Sequence, residues 1–169
     1  MNKSEDTKLK KHHDRDDLVG EHKYGDLGQL ILFFVFIAVW ITDSFILNIS
    51  TWLAQYIPLY FRLGIALPVF IFSFILAQRG LKTVFGEIRD KPEVISKGVF
   101  SRMRHPIYLA AILFYFSFCI STVSVASFVT WLIIIFFYNY IAGYEEKMLI
   151  KHLGSDYKNY ILNVRRWGI

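Results

Sequence analysis

The chain has 169 residues, 54% of them apolar, 18% aromatic and 20% charged, with a formal net charge of +5 and a mean hydropathy of +0.38. That length suits one domain of ordinary size, and so many aromatics exclude a disordered or fibrous chain. Between His105 and Tyr144 there is no Lys, Arg, Asp or Glu. A soluble helix needs no such run, because one of its faces must meet water. These are the residues of an integral membrane protein.

Residues 1–26 read as a cytoplasmic polar tail. Lys8, Lys10, Lys11, Asp14, Arg15, Asp16 and Asp17 mix the two signs of charge, and His12-His13 belongs to this solvated stretch rather than to a metal site. No cleaved leader is expected, since the first apolar run starts late and lacks a small-residue cleavage pattern. Residues 27–169 read as a single membrane domain. Its spans fall at about Leu27–Leu47, Pro58–Gln78, Pro106–Ile120 and Val125–Tyr144. About 20 helical residues cross a hydrocarbon core. The third span is short, so a tight turn at Ser121–Ser124 must join the last two into a hairpin.

Asp43 and Arg62 are the only charges inside the first two spans, near the same end, and the economical expectation is an ion pair between them. Trp52, Tyr56 and Tyr60 fit an outer aromatic belt, Tyr24 and Trp167 an inner one. The single cysteine, Cys119, reads as a small buried hydrophobe. It permits no intramolecular disulfide and no thiolate metal cluster. No metal is expected.

The basic residues fix the orientation. Residues 1–26 carry six Lys and Arg, 79–106 seven and 145–169 five, whereas 48–57 and 121–124 carry none. The positive-inside rule places both termini and the 79–106 connection in the cytoplasm. The membrane would be a prokaryotic plasma membrane, or the endoplasmic reticulum in a eukaryote. An isoelectric point near 9.3 is therefore a topology signal and a means of contacting anionic lipid, not a mark of nucleic-acid binding.

The unusual residues gather on the cytoplasmic side. In Arg102-Met103-Arg104-His105-Pro106-Ile107-Tyr108, proline pushes His105 out of helical geometry and itself suits the first helical position. His105 is thus an N-cap, and Tyr108 lies one turn further along the same side. Arg102 and Arg104 flank a helix N-terminus, which suits a carboxylate or phosphate, although a well-capped helix with snorkelling arginines accounts for it equally well.

Lys91–Phe100 reads as an extended loop with a turn at Gly98, a shape that could lay its backbone along a ligand. Beyond the hairpin, Ala142, Glu146, Leu149, Ile150 and Leu153 share one helical face. Glu146 interrupts that apolar stripe, where an acid is costly without a partner. Glu145 points along another face. Gly154 is a stop, and Ser155 would cap a last short helix carrying Tyr157 and Tyr160.

Gly98-Val99-Phe100, Arg104-His105-Pro106-Ile107-Tyr108, a helical hairpin, Glu145-Glu146, and Leu153-Gly154 with Tyr157 and Tyr160 together resemble the isoprenylcysteine carboxyl methyltransferase and phospholipid methyltransferase superfamily. The resemblance covers roughly residues 80–169. It implies an all-α, polytopic integral membrane fold of about four helices, with a cytoplasmic helical extension over 145–169.

It also implies S-adenosylmethionine as cofactor, held by Val94, Ile95, Phe100, His105, Pro106, Ile107, Tyr108 and Glu146. Glu146 and Glu145 would be the catalytic acids, and Arg102 and Arg104 would face an anionic group of the substrate. The acceptor would be lipophilic: a prenylcysteine carboxylate, a lipid amine or a thiol. Two departures stand out. Phe100 replaces a frequent Tyr, and Ile141 sits where isoprenylcysteine enzymes carry an Arg. The alternative is a non-catalytic four-helix assembly or lipid-sensing module, which leaves His105, Tyr108 and Glu146 as coincidence.

Overall fold

The computed structural model describes residues 25–86 and 91–168. The tail residues His12 and His13, and Tyr24, lie outside them. The described chain is all-helical: α1 (Gly25–Ile41), α2 (Leu59–Phe85), α3 (Pro106–Thr122), α4 (Val125–Leu153) and α5 (Ser155–Asn163). The end of α1 widens into a π-turn over Thr42–Leu47, so the first span is 23 residues long. By length and composition this span, α2 and α4 can cross a membrane, and α3 is a shorter apolar helix of 17 residues.

Two helices run beyond their apolar spans, the fourth as its continued helical pattern up to the stop at Gly154 predicted. The second continues past Gln78 to Phe85, because Arg79 and Lys82 can extend their charged heads into the headgroup region while the backbone stays helical. The connection to α3 is correspondingly shorter than 79–105. The fourth has 29 residues, about 44 Å at the usual rise, against a hydrocarbon core of about 30 Å. Its last nine residues, from Glu145 onward, therefore stand outside the span.

The packing follows from residue size and from rings. Gly80 lets α2 meet α3 closely: a Cβ there would stand 2.7 Å from Ile107 Cγ1. Ser73 Oγ donates to the Ala110 carbonyl at 2.9 Å across the same pair. Phe36, Ile112, Tyr115, Cys119, Ile134 and Tyr138 form the buried core between α1, α3 and α4, with Phe36 and Tyr115 edge to face at 4.8 Å. Cys119 is fully buried there. Phe34, Ile133 and Phe136 point outward, as side chains solvated by lipid should.

The tight hairpin turn forms at Val123, in left-handed geometry (φ 53°), and Ser124 caps α4 by accepting from Ser127 N at 3.1 Å. Asp43 is buried at this end but does not pair with Arg62. It accepts from Ser50 N at 3.0 Å, Ser50 Oγ at 2.6 Å and Ser124 Oγ at 2.5 Å. These short donors lie on adjacent turns and neutralise the desolvation cost locally. Arg62 Nη1 instead reaches the Ser121 carbonyl at the C-terminal end of α3, 3.1 Å away.

Ser124→Ala removes a helix cap and a donor to a buried carboxylate together. It is expected to destabilise the protein by about 1–2 kcal/mol, read as a lower thermal unfolding midpoint in detergent. An unchanged midpoint would show that this latch carries little weight.

Candidate active site at the basic end of the helices

The opposite end of the bundle is built around the start of α3. His105 is its N-cap (φ −125°, ψ 61°) and Pro106 its first residue, as proline geometry requires. The free N–H groups just upstream are taken by the C-terminal segment. Arg104 N donates to the carbonyls of Arg165 (3.1 Å) and Arg166 (3.2 Å), and His105 N to that of Arg166 (3.3 Å). The chain end is thereby strapped across the helix start.

With the backbone so held, the His105 and Tyr108 rings stack one turn apart, 5.5 Å between centroids and 3° from parallel. Tyr108 Oη donates to Glu145 Oε1. His105 Nε2 lies 3.1 Å from Glu146 Oε1, and Nδ1 lies 3.7 Å from Glu145 Oε2. Arg104 Nη2 is 3.3 Å from Glu146 Oε1. Arg166 donates Nε to Glu146 Oε1 at 2.9 Å and Nη2 to Oε2 at 2.5 Å, while Nη1 reaches Asn139 Oδ1 at 2.9 Å. Trp167 packs its ring 6.1 Å from His105. It is half-buried and joins this cluster.

Burial tends to raise the Glu146 carboxyl. The hydrogen bonds from His105 and Arg166 and the charge of Arg104 outweigh that and hold it down at about 2. Burial pushes the His105 imidazole below its usual range, aided by the two guanidinium groups and opposed by Glu146. The site therefore holds an ionised acid beside a neutral histidine at physiological pH.

Arg104 has two further donors, Nε and Nη1, that are buried with no hydrogen-bond partner. A buried guanidinium with unmet donors calls for an anionic acceptor. Among the described residues no group of three or more His, Cys, Asp or Glu side chains is assembled that could hold a metal ion.

Of the expected site residues, Arg104, His105, Tyr108, Glu145 and Glu146 come together. Pro106 is buried beneath them, whereas Ile107 turns toward Gly80 on α2. Val94, Ile95 and Arg102 line a separate groove, and Phe100 is buried with its carbonyl accepting from Tyr160 Oη at 2.6 Å. The stripe below Glu146 packs as expected, with Leu149, Ile150 and Leu153 against Tyr157, Tyr160 and Val164. Gly154 takes φ 59°, but it is itself the N-cap of α5, and Ser155 makes no capping bond.

Arg166, Asn139 and Trp167 were not legible as site residues. The usable signal was the stripe acid itself: no cation lies between His105 and Lys147, so a partner for Glu146 had to arrive from another part of the chain.

The family model for phospholipid methyltransferases matches residues 59–156, more than half of the chain and all of α2, α3 and α4. The chain belongs to the phospholipid methyltransferase family. No curated protein and no solved structure matches it. Arg166 lies beyond the matched residues, so the strap that completes the acidic pair is a feature of this chain outside the family's matched region.

Proposed function

We propose that this phospholipid methyltransferase family member is an S-adenosylmethionine-dependent enzyme that methylates a lipophilic acceptor at the cytoplasmic face of the membrane. The observation that carries the reading is Arg104. Its Nε and Nη1 are buried without a hydrogen-bond partner beside the ionised Glu146, whose charge is already met by Arg166. The carboxylate of the cofactor's amino-acid end is the acceptor those donors lack.

S-adenosylmethionine supplies a methyl group on a sulfonium, open to in-line displacement. The protein's own work is alignment and exclusion of water. Arg104 and His105 would bind the cofactor, and Glu146 and Arg166 would hold those two in place. Tyr108 and Glu145 stand on the inner side of His105, toward α1 and Tyr138, whose ring lies 5.1 Å from that of Tyr108. For an amine acceptor, Glu145 or the neutral His105 would take the proton.

The basic excess supports the orientation: among the described residues every Lys and Arg except Arg62 belongs to the connection, the final turns of α2 or the C-terminal region. Glu146 and Ser124 are 22 positions apart on α4, about 33 Å of helix, which matches one hydrocarbon thickness.

Two measurements test the proposal. S-adenosylmethionine at 100 times its Kd should stabilise the protein by about 2.7 kcal/mol. Labelled methyl groups should pass into the lipid fraction when the protein is incubated in native lipid. Neither stabilisation nor methylated lipid, with the protein folded, would leave the non-catalytic module as the better reading.

A further inference from the structure

Four cations from two separate stretches of chain converge on one groove at the basic end of the bundle. Arg79 and Lys82 stand on the last turns of α2, and Lys97 and Arg102 on the connection around the short turn Gly98–Ser101. With the hydroxyls of Ser96 and Ser101 they line a cavity of about 640 Å³. Among the described residues Glu93 is the one carboxylate in that lining, and none of the four cations is in ion-pair contact with an acid.

The two cations on α2 suit the carbonyl end of their own helix. That does not account for Lys97 and Arg102, which a different segment brings alongside. Like charges gathered around a concave surface repel one another and raise its potential until an anion is drawn in. The groove is also lined by the polar last turns of α2, beyond the apolar part of that helix.

We propose that this groove binds a phosphoryl anion, either the phosphate of an anionic lipid headgroup or a soluble phosphate, at a site separate from the methyl-transfer cluster. Its lining shares no residue with Arg104, His105, Glu145, Glu146 or Arg166. Arginine forks and the Ser96 hydroxyl provide directional donors for phosphate oxygens, and the lysines add point charge; the Ser101 hydroxyl is already donated to the Gly98 carbonyl at 2.7 Å. The site does not depend on the methyltransferase reading, because occupancy is read without S-adenosylmethionine.

The test compares the wild-type chain with two double variants of equal charge change: Lys82→Gln with Lys97→Gln in the groove, and Lys151→Gln with Lys158→Gln, which are exposed and outside it. In one arm the protein is reconstituted in phosphatidylcholine nanodiscs doped with phosphatidylglycerol, and retained phosphatidylglycerol is counted by native mass spectrometry. In the other, inorganic phosphate is titrated into protein in phosphatidylcholine alone. The groove variant should bind about tenfold more weakly than both wild type and the outside variant. A loss in the phosphatidylglycerol arm alone or in both arms identifies a lipid headgroup as the ligand, and a loss in the phosphate arm alone identifies a soluble anion. Equal losses in the two variants, or no binding to the wild type in either arm, would overturn the proposal.

Discussion

Arg166→Ala is expected to destabilise the protein by about 2–4 kcal/mol, the largest stability effect of any single substitution near the site. The Arg166 guanidinium meets both oxygens of Glu146 at 2.9 and 2.5 Å and also anchors on Asn139. Removing it leaves a nearly buried carboxylate with fewer compensating donors. Because Arg166 keeps about a quarter of its side chain in contact with solvent, the effect should fall short of that for a fully enclosed pair.

Arg166→Lys should restore only part of the loss, since a lysine cannot reproduce the two-pronged contact. Chemical unfolding in detergent measures the effect. Its assignment to this contact rests on a double-mutant cycle with Glu146→Gln, where the two changes should be strongly non-additive. Additive losses would mean that the Arg166 side chain contributes through contacts other than Glu146, such as Nη1 with Asn139.

Glu146→Gln is expected to weaken S-adenosylmethionine binding about 10- to 100-fold, corresponding to about 1.5–3 kcal/mol for a lost charged hydrogen bond. The glutamine is the same size but donates through its amide and has no charge, so Arg104, Arg166 and His105 lose their shared anchor. Isothermal titration with S-adenosylmethionine, in the absence of acceptor, gives the affinity directly. Glu145→Gln should cost less, because Glu146 is the shared anchor of Arg104, His105 and Arg166, whereas Glu145 meets the Tyr108 hydroxyl and the far side of the His105 ring. A fully folded Glu146→Gln protein of wild-type affinity would remove Glu146 from the cofactor site.

The same variant carries a pH signature. The Glu146 carboxyl is held at about 2, against an ordinary value of 4.5. Its ionised form therefore stabilises the folded chain. That contribution is complete above about pH 4.5, declines as the pH falls, and is gone once the pH passes below about 2. The stability gap between wild type and Glu146→Gln should close over that interval and stay constant above it.

Much of the site was legible from local rules, because its parts depend on local geometry. A residue before proline leaves the helical region, so His105 had to be an N-cap, and Tyr108 had to stand one turn above it. An acid on an apolar stripe needs a partner, so Glu146 was marked for one. Identifying that partner was another matter. Arg166 is 20 residues beyond Glu146, past a glycine turn and a short helix, and no periodicity relates the two. Asp43 and Arg62 failed in the opposite direction. Their matching depth and opposite charge suggested a pair, yet each found nearer donors or acceptors in the turns of its own end.

The amino-acid order by itself determined that the chain is helical and lies in a membrane, where its apolar helices fall and which end is basic, because hydrophobic length and the position of lysines and arginines act one segment at a time. Only the tertiary structure decided which charges meet. Ion pairs form between side chains that packing brings within about 4 Å, and the packing of α3 and α4 with the strap of residues 164–168 is a property of the whole bundle. Thus the acid was visible in the sequence, and its arginine was not.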